Sequence, residues 1–548
     1  MKREHFRFPA PLTWGLALLV LSGPLAAQVQ VNTQAAIPAG EVPLQVKDGG
    51  VDLSLNDAVE IALRRNLGLV IERYTRNQAR LGVEQALGIY DLLSSVDLQA
   101  SDIQTPGATR IQAASSKSQQ LTFGLNQLVP IGGTVGVGWQ NSRSDSDLNG
   151  SVNPLYRSSL SFTLTQPLLR DFGRLPTERQ LLIAQNQSFS SSQEFSRQVI
   201  TTLQQVINAY WDLVKAREQL KVAKESLALA QQLHERNRIQ VEVGTLAPLE
   251  LVQSEANIAT NEEQIISAQT VQGNAEDELR RLLNLPQGPL WQAELRPSTS
   301  PEVEAPPAPD VEAAIHTALE TRPEVKAQQL AVEQARINSA FFRNQKLPSL
   351  DLNVTYSLNG ASAVITGVDP DTGEPVVGAG SFNDALHQVT GIDFKGWFLQ
   401  LTLGYPLQNR GARAASAIAD LTLESAQATL AQTEQQVTTE VRQAARQVES
   451  AAKQIEAARA SVHFEERSLD AEKKRYENGM SSSFEITRIQ QDLTGAKSRQ
   501  VTAIIAYRTA LTTLQQVTGQ LLSTYNVAID DPEAPVDRFE FSFFGGHK

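Results

Sequence analysis

Three sets of residues in this 548-residue chain have types that could do chemistry, and none has the setting that the chemistry needs. Asp371-Thr372-Gly373 has the composition of an aspartic-protease triplet. It lies, however, in a Gly- and Pro-rich stretch where Asp and Gly make turns. Gly132 to Gly138 carries glycines like a phosphate-binding loop, yet no helix-forming segment follows to supply the amide-rich N-terminus that such loops use. The six histidines, at 5, 234, 316, 387, 463 and 547, show no metal-ligand spacing, and without cysteine a structural zinc site lacks thiolates. No nucleophile has a base placed to activate it, so neither catalysis nor a metal or cofactor is expected. The charged residues that remain of interest are Glu250, Glu485 and Arg488, six, six and nine positions past glycines that end long helix-forming runs.

The elements that position them follow from composition and pattern. A net charge of −12, with no basic run interleaved with aromatics, disfavours nucleic acid. Residues 1–27 have the layout of a secretory signal: Lys2, Arg3 and Arg7, then the apolar run Trp14–Leu21, then Leu25-Ala26-Ala27 before Gln28. That run is too short to span a bilayer as a helix, which needs about 20 residues. No later segment reaches the apolar length of a transmembrane helix.

Two alignments within the chain point to internal duplication. At an offset of 256, Gln78-Ala79-Arg80 meets Gln334-Ala335-Arg336; at 235, Val206 meets Val441, Gly244 meets Gly479 and Glu250 meets Glu485. The expected organisation is a signal peptide (1–27), an N-terminal extension (28–50) and a first repeat over 51–285. A Pro-rich connector (286–309), a second repeat over 310–520 and a tail (521–548) complete it. Each repeat reads as a helix, a strand region (about 94–166 and 349–405) and a long helical hairpin (174–285 and 411–520).

From Thr177 to Val243 there is neither Pro nor Gly, enough for a helix of about 100 Å. The second repeat has the same run from Ala412 to Asn478, where Val437, Val441, Ala444, Val448, Ala451 and Ile455 alternate steps of four and three. Leu469 and Tyr476 continue that coiled-coil cycle, and alanines at the seam allow close approach. Tight tips at Gly244-Thr245 and Gly479-Met480 turn each long helix back on itself.

The strand regions alternate with period two. Leu160, Phe162 and Leu164 share one face, as do Leu350, Leu352, Val354 and Tyr356, and as do Trp397, Leu399, Leu401 and Leu403. Segments of about ten residues with one apolar face are what transmembrane barrels use, with Trp139, Tyr156, Tyr356, Trp397 and Tyr405 as candidates for the aromatic girdles. A half-buried soluble sheet would alternate likewise, but the long polar stretch Asn359–Lys395 suits an extracellular loop better. Only a closed barrel satisfies backbone groups in lipid, and one chain has too few strands to close one. Strands in the membrane therefore require an oligomer. The rival is a soluble periplasmic coiled-coil scaffold without channel activity.

With these features the chain resembles the TolC-like outer-membrane efflux proteins over nearly all of its mature length. The signs are the duplication, the strand–helix junctions Gln166-Pro167-Leu168 and Tyr405-Pro406-Leu407 (with Gly173 and Gly411 close behind), and the tips Val243-Gly244-Thr245 and Asn478-Gly479-Met480. The resemblance implies a mixed membrane fold: a homotrimer with a shared transmembrane β-barrel in outer-membrane lipid, continued by a periplasmic barrel of coiled-coil α-helices gated at the tips. It also implies a periplasmic adaptor (membrane fusion) protein and an inner-membrane pump as partners, in tripartite efflux or type I secretion. Where acidic-gate members carry two carboxylates after the second tip glycine, this chain has Glu485 and Arg488. Where they carry a basic latch residue it has Ser481.

One feature departs from the family pattern of four strands per subunit. Leu121, Phe123 and Leu125 alternate, Val129-Pro130-Ile131-Gly132-Gly133 turns the chain, and Val135, Val137 and Trp139 alternate again. This is either a further pair of membrane strands, giving six per subunit and eighteen per trimer, or an extracellular hairpin. Proteolysis of intact cells separates the two: protection of Ile131–Thr134 is expected for six strands, and cleavage there would exclude them.

Overall fold

The computed structural model describes residues 49–104, 115–146, 152–302, 310–368 and 375–529, with isolated positions between them. The expected signal segment, the connections 105–114 and 147–151, part of the Pro-rich stretch (303–309) and the tail from 530 lie outside the described residues. Thr372, in the protease-like triplet, does too.

The chain opens with strand β1 (Gly50–Leu53) and helices α1 (Leu55–Arg65) and α2 (Leu67–Leu87). Ser54 and Asp57 form a reciprocal capping box at the start of α1. Four strands follow: β2 (Leu93–Gln104), β3 (Ser115–Leu128), β4 (Thr134–Ser146) and β5 (Leu155–Pro167). Helices α3 (Arg174–Glu242) and α4 (Pro248–Leu283) form the first hairpin. With 69 residues, α3 runs about 100 Å at 1.5 Å per residue.

Between the halves lie the short helix α5 (Pro289–Gln292) and strand β6 (Glu294–Pro297), which pairs in parallel with β1. The Pro-rich stretch is thus not extended connector throughout. Next come α6 (Val311–Thr321), α7 (Pro323–Asn344) and β7 (Ser349–Ala361). Residues 359–395, expected as one loop, instead hold a small hairpin, β8 (Ala363–Val368) with β9 (Pro375–Ala379), and helix α8 (Phe382–Thr390). Val and Ile favour the strands, and Ser381 with Asp384 caps the helix. A Cβ on Gly360 would fall 2.0 Å from the Ala385 carbonyl oxygen, so glycine is what lets α8 rest directly on β7. Strand β10 (Phe394–Gly404), the second hairpin of α9 (Arg410–Glu477) and α10 (Ser483–Val517), and the turn α11 (Leu521–Thr524) complete the chain.

Six strands make one antiparallel sheet in the order β10-β7-β5-β4-β3-β2. The β3–β4 turn sits at the helix end of this sheet: Gly173 N, at the start of α3, donates to Ile131 O at 3.0 Å, and Gln166 Nε2 to the same oxygen at 3.1 Å. The longer connections leave from the opposite end. At the junction, Tyr90 Oη donates to the buried Glu178 of α3 at 2.8 Å.

The core lies where the helices cross the β1–β6 pair. Leu203, Val206, Ile207 and Tyr210 of α3 are fully buried, and Tyr210 meets Trp211 edge-on at 5.4 Å. Along α9 and α10, Ala444, Val448, Ala451 and Ile455 pack against Ala503, Tyr507, Ala510 and Leu514, the small-residue seam that coiled-coil spacing predicts. Tyr210 Oη donates to Leu53 O and accepts from Thr299 N, both at 3.0 Å, joining α3 to strand and connector at once. Tyr210→Phe strands both backbone groups in a dry site and is expected to cost about 1–3 kcal/mol. The measurement is the urea midpoint, and an unchanged midpoint would show the clamp to be dispensable.

Candidate functional site

Two regions are candidates for function: the sheet and the helix tips. Cross-strand partners share a face, so the register assigns every strand residue to one side of the sheet. One face carries Val96, Phe123, Trp139, Leu160 and Leu358 in one row, and Leu125, Val137, Phe162, Tyr356 and Trp397 in the next. The other carries Ser95, Gly124, Gly138, Ser161, Ser357 and Gly396 in a single row across all six strands. The apolar face is exposed in one copy, with Trp397 80% and Leu403 68% accessible. An exposed apolar surface of this extent marks contact with lipid or another chain.

Of the five candidate girdle aromatics, Tyr356 and Trp397 are direct cross-strand partners, and Trp139 lies one row nearer the far end. Trp139 Nε1 donates to Ser158 at 3.0 Å. Tyr156 sits further out, under the Arg143 guanidinium and edge-on to Phe382 of α8. Tyr405 follows the end of β10, on the helix side. At the junctions, Pro167 closes β5 and Gly173 takes φ +97 as the cap before α3. In the second half the left-handed conformation falls on Asn409 (φ 40), whose side chain donates to Lys346 O at 3.1 Å. Gly411 lies inside α9, and Pro406 in the short link before it.

Both tips end in the same backbone motif. Gly244 (φ +78) donates to Val241 O at 3.0 Å and Thr245 N to Gln240 O at 2.9 Å. Gly479 (φ +73) donates to Tyr476 O at 3.0 Å and Met480 N to Arg475 O at 2.9 Å. These paired bonds satisfy the last carbonyls of α3 and α9 and require a left-handed residue.

The two hairpins meet just behind these turns. Tyr476 of α9 is buried, with its Oη 2.9 Å from Asn237 Oδ1 and 2.7 Å from Gln240 Oε1, both on α3. A phenol has one proton to give, so one amide must present its NH2. Asn237 is that amide: its Nδ2 is buried without a partner as placed, and turning the group over lets it donate to Tyr476 while Gln240 accepts. Ser483 at the start of α10 donates to Glu250 at the start of α4, and Arg236 pairs with Glu477 at 3.2 Å. Ser481 donates to the buried Glu472.

Burial first, and the Glu250 charge second, hold the Tyr476 phenol above its ordinary 10.0. A raised acid of this kind stabilises the fold fully below the unfolded value. The contribution is lost as pH climbs from 10.0 through the raised folded value, so the contact is intact at neutral pH.

Glu250 therefore bridges the hairpins. Glu485, by contrast, lies exposed in the first turn of α10 and pairs with Arg488 one turn on at 2.9 Å, a surface ion pair. Sequence placed Tyr476 on the helix seam but gave no sign of its polar partners. The available signal was Asn237, a polar residue in a run of apolar seam positions.

Comparison with known proteins fixes the class. A family model for outer membrane efflux proteins matches residues 108–285 and 314–520, more than half of the chain, and the protein belongs to that family. Its fold is that of the CmeC outer membrane channel of Campylobacter jejuni, at 17% identity over 85% of this chain and 86% of that one, with a TM-score of 0.61. The outer membrane protein VceC of Vibrio cholerae is similar at 14% identity over 85% and 96%, TM-score 0.59. The open-state MtrE outer membrane channel of Neisseria gonorrhoeae matches at 16% over 85% and 89%, TM-score 0.59. A search of curated proteins finds no match in sequence.

A Cβ on Gly244 or Gly479 would meet no atom within 4 Å, so substitution there tests backbone conformation alone. Alanine at either is expected to cost about 1–2 kcal/mol, and asparagine less. The check is hydrogen exchange of the tip amides: alanine exchanging no faster than glycine would show that the left-handed turn is not what holds the tip.

Proposed function

We propose that this chain is the outer-membrane exit duct of a tripartite efflux or type I secretion machine, a passive conduit built from three copies and opened at its helix tips. The observation that carries the proposal is the sheet: one face apolar and exposed, the other polar, both edges without a partner among the described residues, and long helical hairpins continuing from it. Backbone groups at those edges can enter lipid only if another copy pairs them. Oligomerisation also accounts for exposed apolar side chains on the helices, among them Ile266, Ile418 and Leu421. A coiled-coil scaffold in water has no use for such a sheet.

In this scheme the first 27 residues are removed on export, the two halves are repeats, and the girdle aromatics sit at the lipid boundary. The helices descend through the periplasm to an adaptor protein and an inner-membrane pump, which supplies energy and chooses the cargo. The closed gate rests on Tyr476 with Asn237 and Gln240, and on Glu250 with Ser483. Gly244 and Gly479 cap the tips, while Glu485 and Arg488 form a surface pair at the entrance.

Each net hydrogen bond there is worth about 1 kcal/mol, and three copies multiply the effect. Tyr476→Phe combined with Glu250→Ala should raise single-channel conductance in planar bilayers several-fold over wild type while trimer mass stays constant. Glu485→Ala should leave it near wild type. Equal conductance for wild type and the double variant would take the gate away from these contacts. A water-soluble monomer without conductance would favour the scaffold.

A further inference from the structure

We propose that the sheet closes across one defined seam. Strand β2 of one copy pairs antiparallel with β10 of the next, in the register that sets Asp102 opposite Lys395, and three copies make a barrel of eighteen strands. This rests on the exit-duct reading and adds to it the strand count and the contact that joins the copies.

Direction comes first. The sheet holds six strands, each antiparallel to its neighbour, so the two edge strands β10 and β2 run in opposite senses. A further copy can therefore continue the same alternation, which an odd number would forbid. Both edges present large uncovered side chains on the apolar face, Leu98 and Trp397 each 80% accessible.

Tilt follows from where the strands end. Following the register from Gly404 across the sheet, and extending it past the last pairs, brings Gly404 level with Leu87, six residues before β2 opens at Leu93. If the helix junctions lie at one height, six residues of rise (about 20 Å) over five strand spacings (about 24 Å) correspond to a tilt of about 40°, within the range of closed barrels. The same tilt brings the apolar rows to a common level and places Asp102, Lys117, Arg143 and Lys395 together just beyond them, on the far side from the helices.

Register is then nearly determined. At that tilt one copy steps about seven residues along the strands, which brings Gly404 of the next copy opposite the first residues of β2. Gly404 lies on the polar face, so only Leu93 or Ser95 can oppose it. Opposite Ser95, Asp102 would face Trp397 and Lys395 would face Gln104. Opposite Leu93, Asp102 meets Lys395 and Ile103 meets Phe394 of the next copy, while Val96 and Leu98 meet Leu401 and Leu399. The second register pairs charge with charge and covers the one apolar residue that each edge exposes at the outer end of the polar face. Asp102 already has Lys117 of its own copy at 3.4 Å; Lys395 has no ion pair among the described residues.

Eighteen tilted strands enclose a cylinder about 36 Å across between opposite Cα atoms. The Gly/Ser row then faces the bore along a line that climbs with the tilt from Ser95 to Gly396.

The chain contains no cysteine, so engineered pairs cross-link only with each other. Full-length protein carrying Leu98→Cys with Leu399→Cys, oxidised in detergent, should run as a covalent ladder ending at the trimer. Leu98→Cys with Leu401→Cys, two residues out of register, should cross-link at least tenfold more slowly, because directly opposed Cβ atoms lie about 5 Å apart and diagonal ones about 7 Å. Separately, Asp102→Lys should lower the temperature at which the trimer dissociates, and adding Lys395→Asp should restore it. Cross-linking of the offset pair alone in an intact trimer overturns the seam and leaves the duct standing. A ladder ending at a different number overturns the strand count. A monomer without cross-links in either pair overturns seam and duct together.

Discussion

A strand edge in hydrocarbon has nowhere to place its amides. Water satisfies exposed N–H and C=O groups at the edge of a soluble sheet; lipid cannot, and each unpaired group costs several kcal/mol. The six-stranded sheet here has an apolar face suited to lipid and two edges that are bare among the described residues and unsuited to it. That conflict organises the rest of the proposal. It calls for further copies, and it requires that the helix junctions of every copy lie at the same level.

Below the junctions the constraint is different. A rod of about 100 Å has far more surface than a globule of equal mass, and α9 covers part of its own with an Ala-rich seam against α10 instead of a bulky core. Small residues allow close packing of backbones but bury little area per contact. The thick part of the core is therefore concentrated where Tyr210, Trp211 and the β1–β6 pair cross the helices, with Arg508 stacked on Trp211 at 4.9 Å. The thickest part of the core sits in the middle of the rods, away from the sheet and from the tips.

Most of this architecture was legible in the residues. Period-two alternation picked out the strands because a sheet with one apolar and one polar face must alternate. Uninterrupted helix formers and paired tip glycines marked the hairpins. Less was visible where order comes from contacts distant in sequence. Residues 359–395 look like a loop by composition, yet α8 forms there because Gly360 lets its backbone rest on β7. At the second strand–helix junction Asn409, which is not a glycine, takes the left-handed conformation. Asn284 ends α4 in the same conformation without a glycine. At the tips, the carboxylates were chosen by spacing from the glycine, which cannot tell a bridging Glu250 from a surface-paired Glu485. What distinguishes them is Ser483 of the other hairpin, a partner that spacing within one hairpin does not reveal.

The geometry of the tips bears on how the proposed gate would move. Each turn is fixed by two backbone hydrogen bonds and a left-handed glycine, and the following helix starts at once with Pro248 or the Ser482 cap. Melting a turn would break four such features. The contacts between hairpins at the same level combine polar ones, Arg236 with Glu477, Ser483 with Glu250 and Tyr476 with two amides, with a buried apolar cluster in which Leu233 of α3 joins Tyr476 and Ile486. Exposed ion pairs contribute at most about 1 kcal/mol, and hydrogen bonds that trade for water on opening contribute little more. Opening by this route moves each hairpin as a rigid lever and leaves its turn intact. In the proposed duct the glycines are then stiffeners, and the compliance of the gate lies in the side-chain layer between the levers.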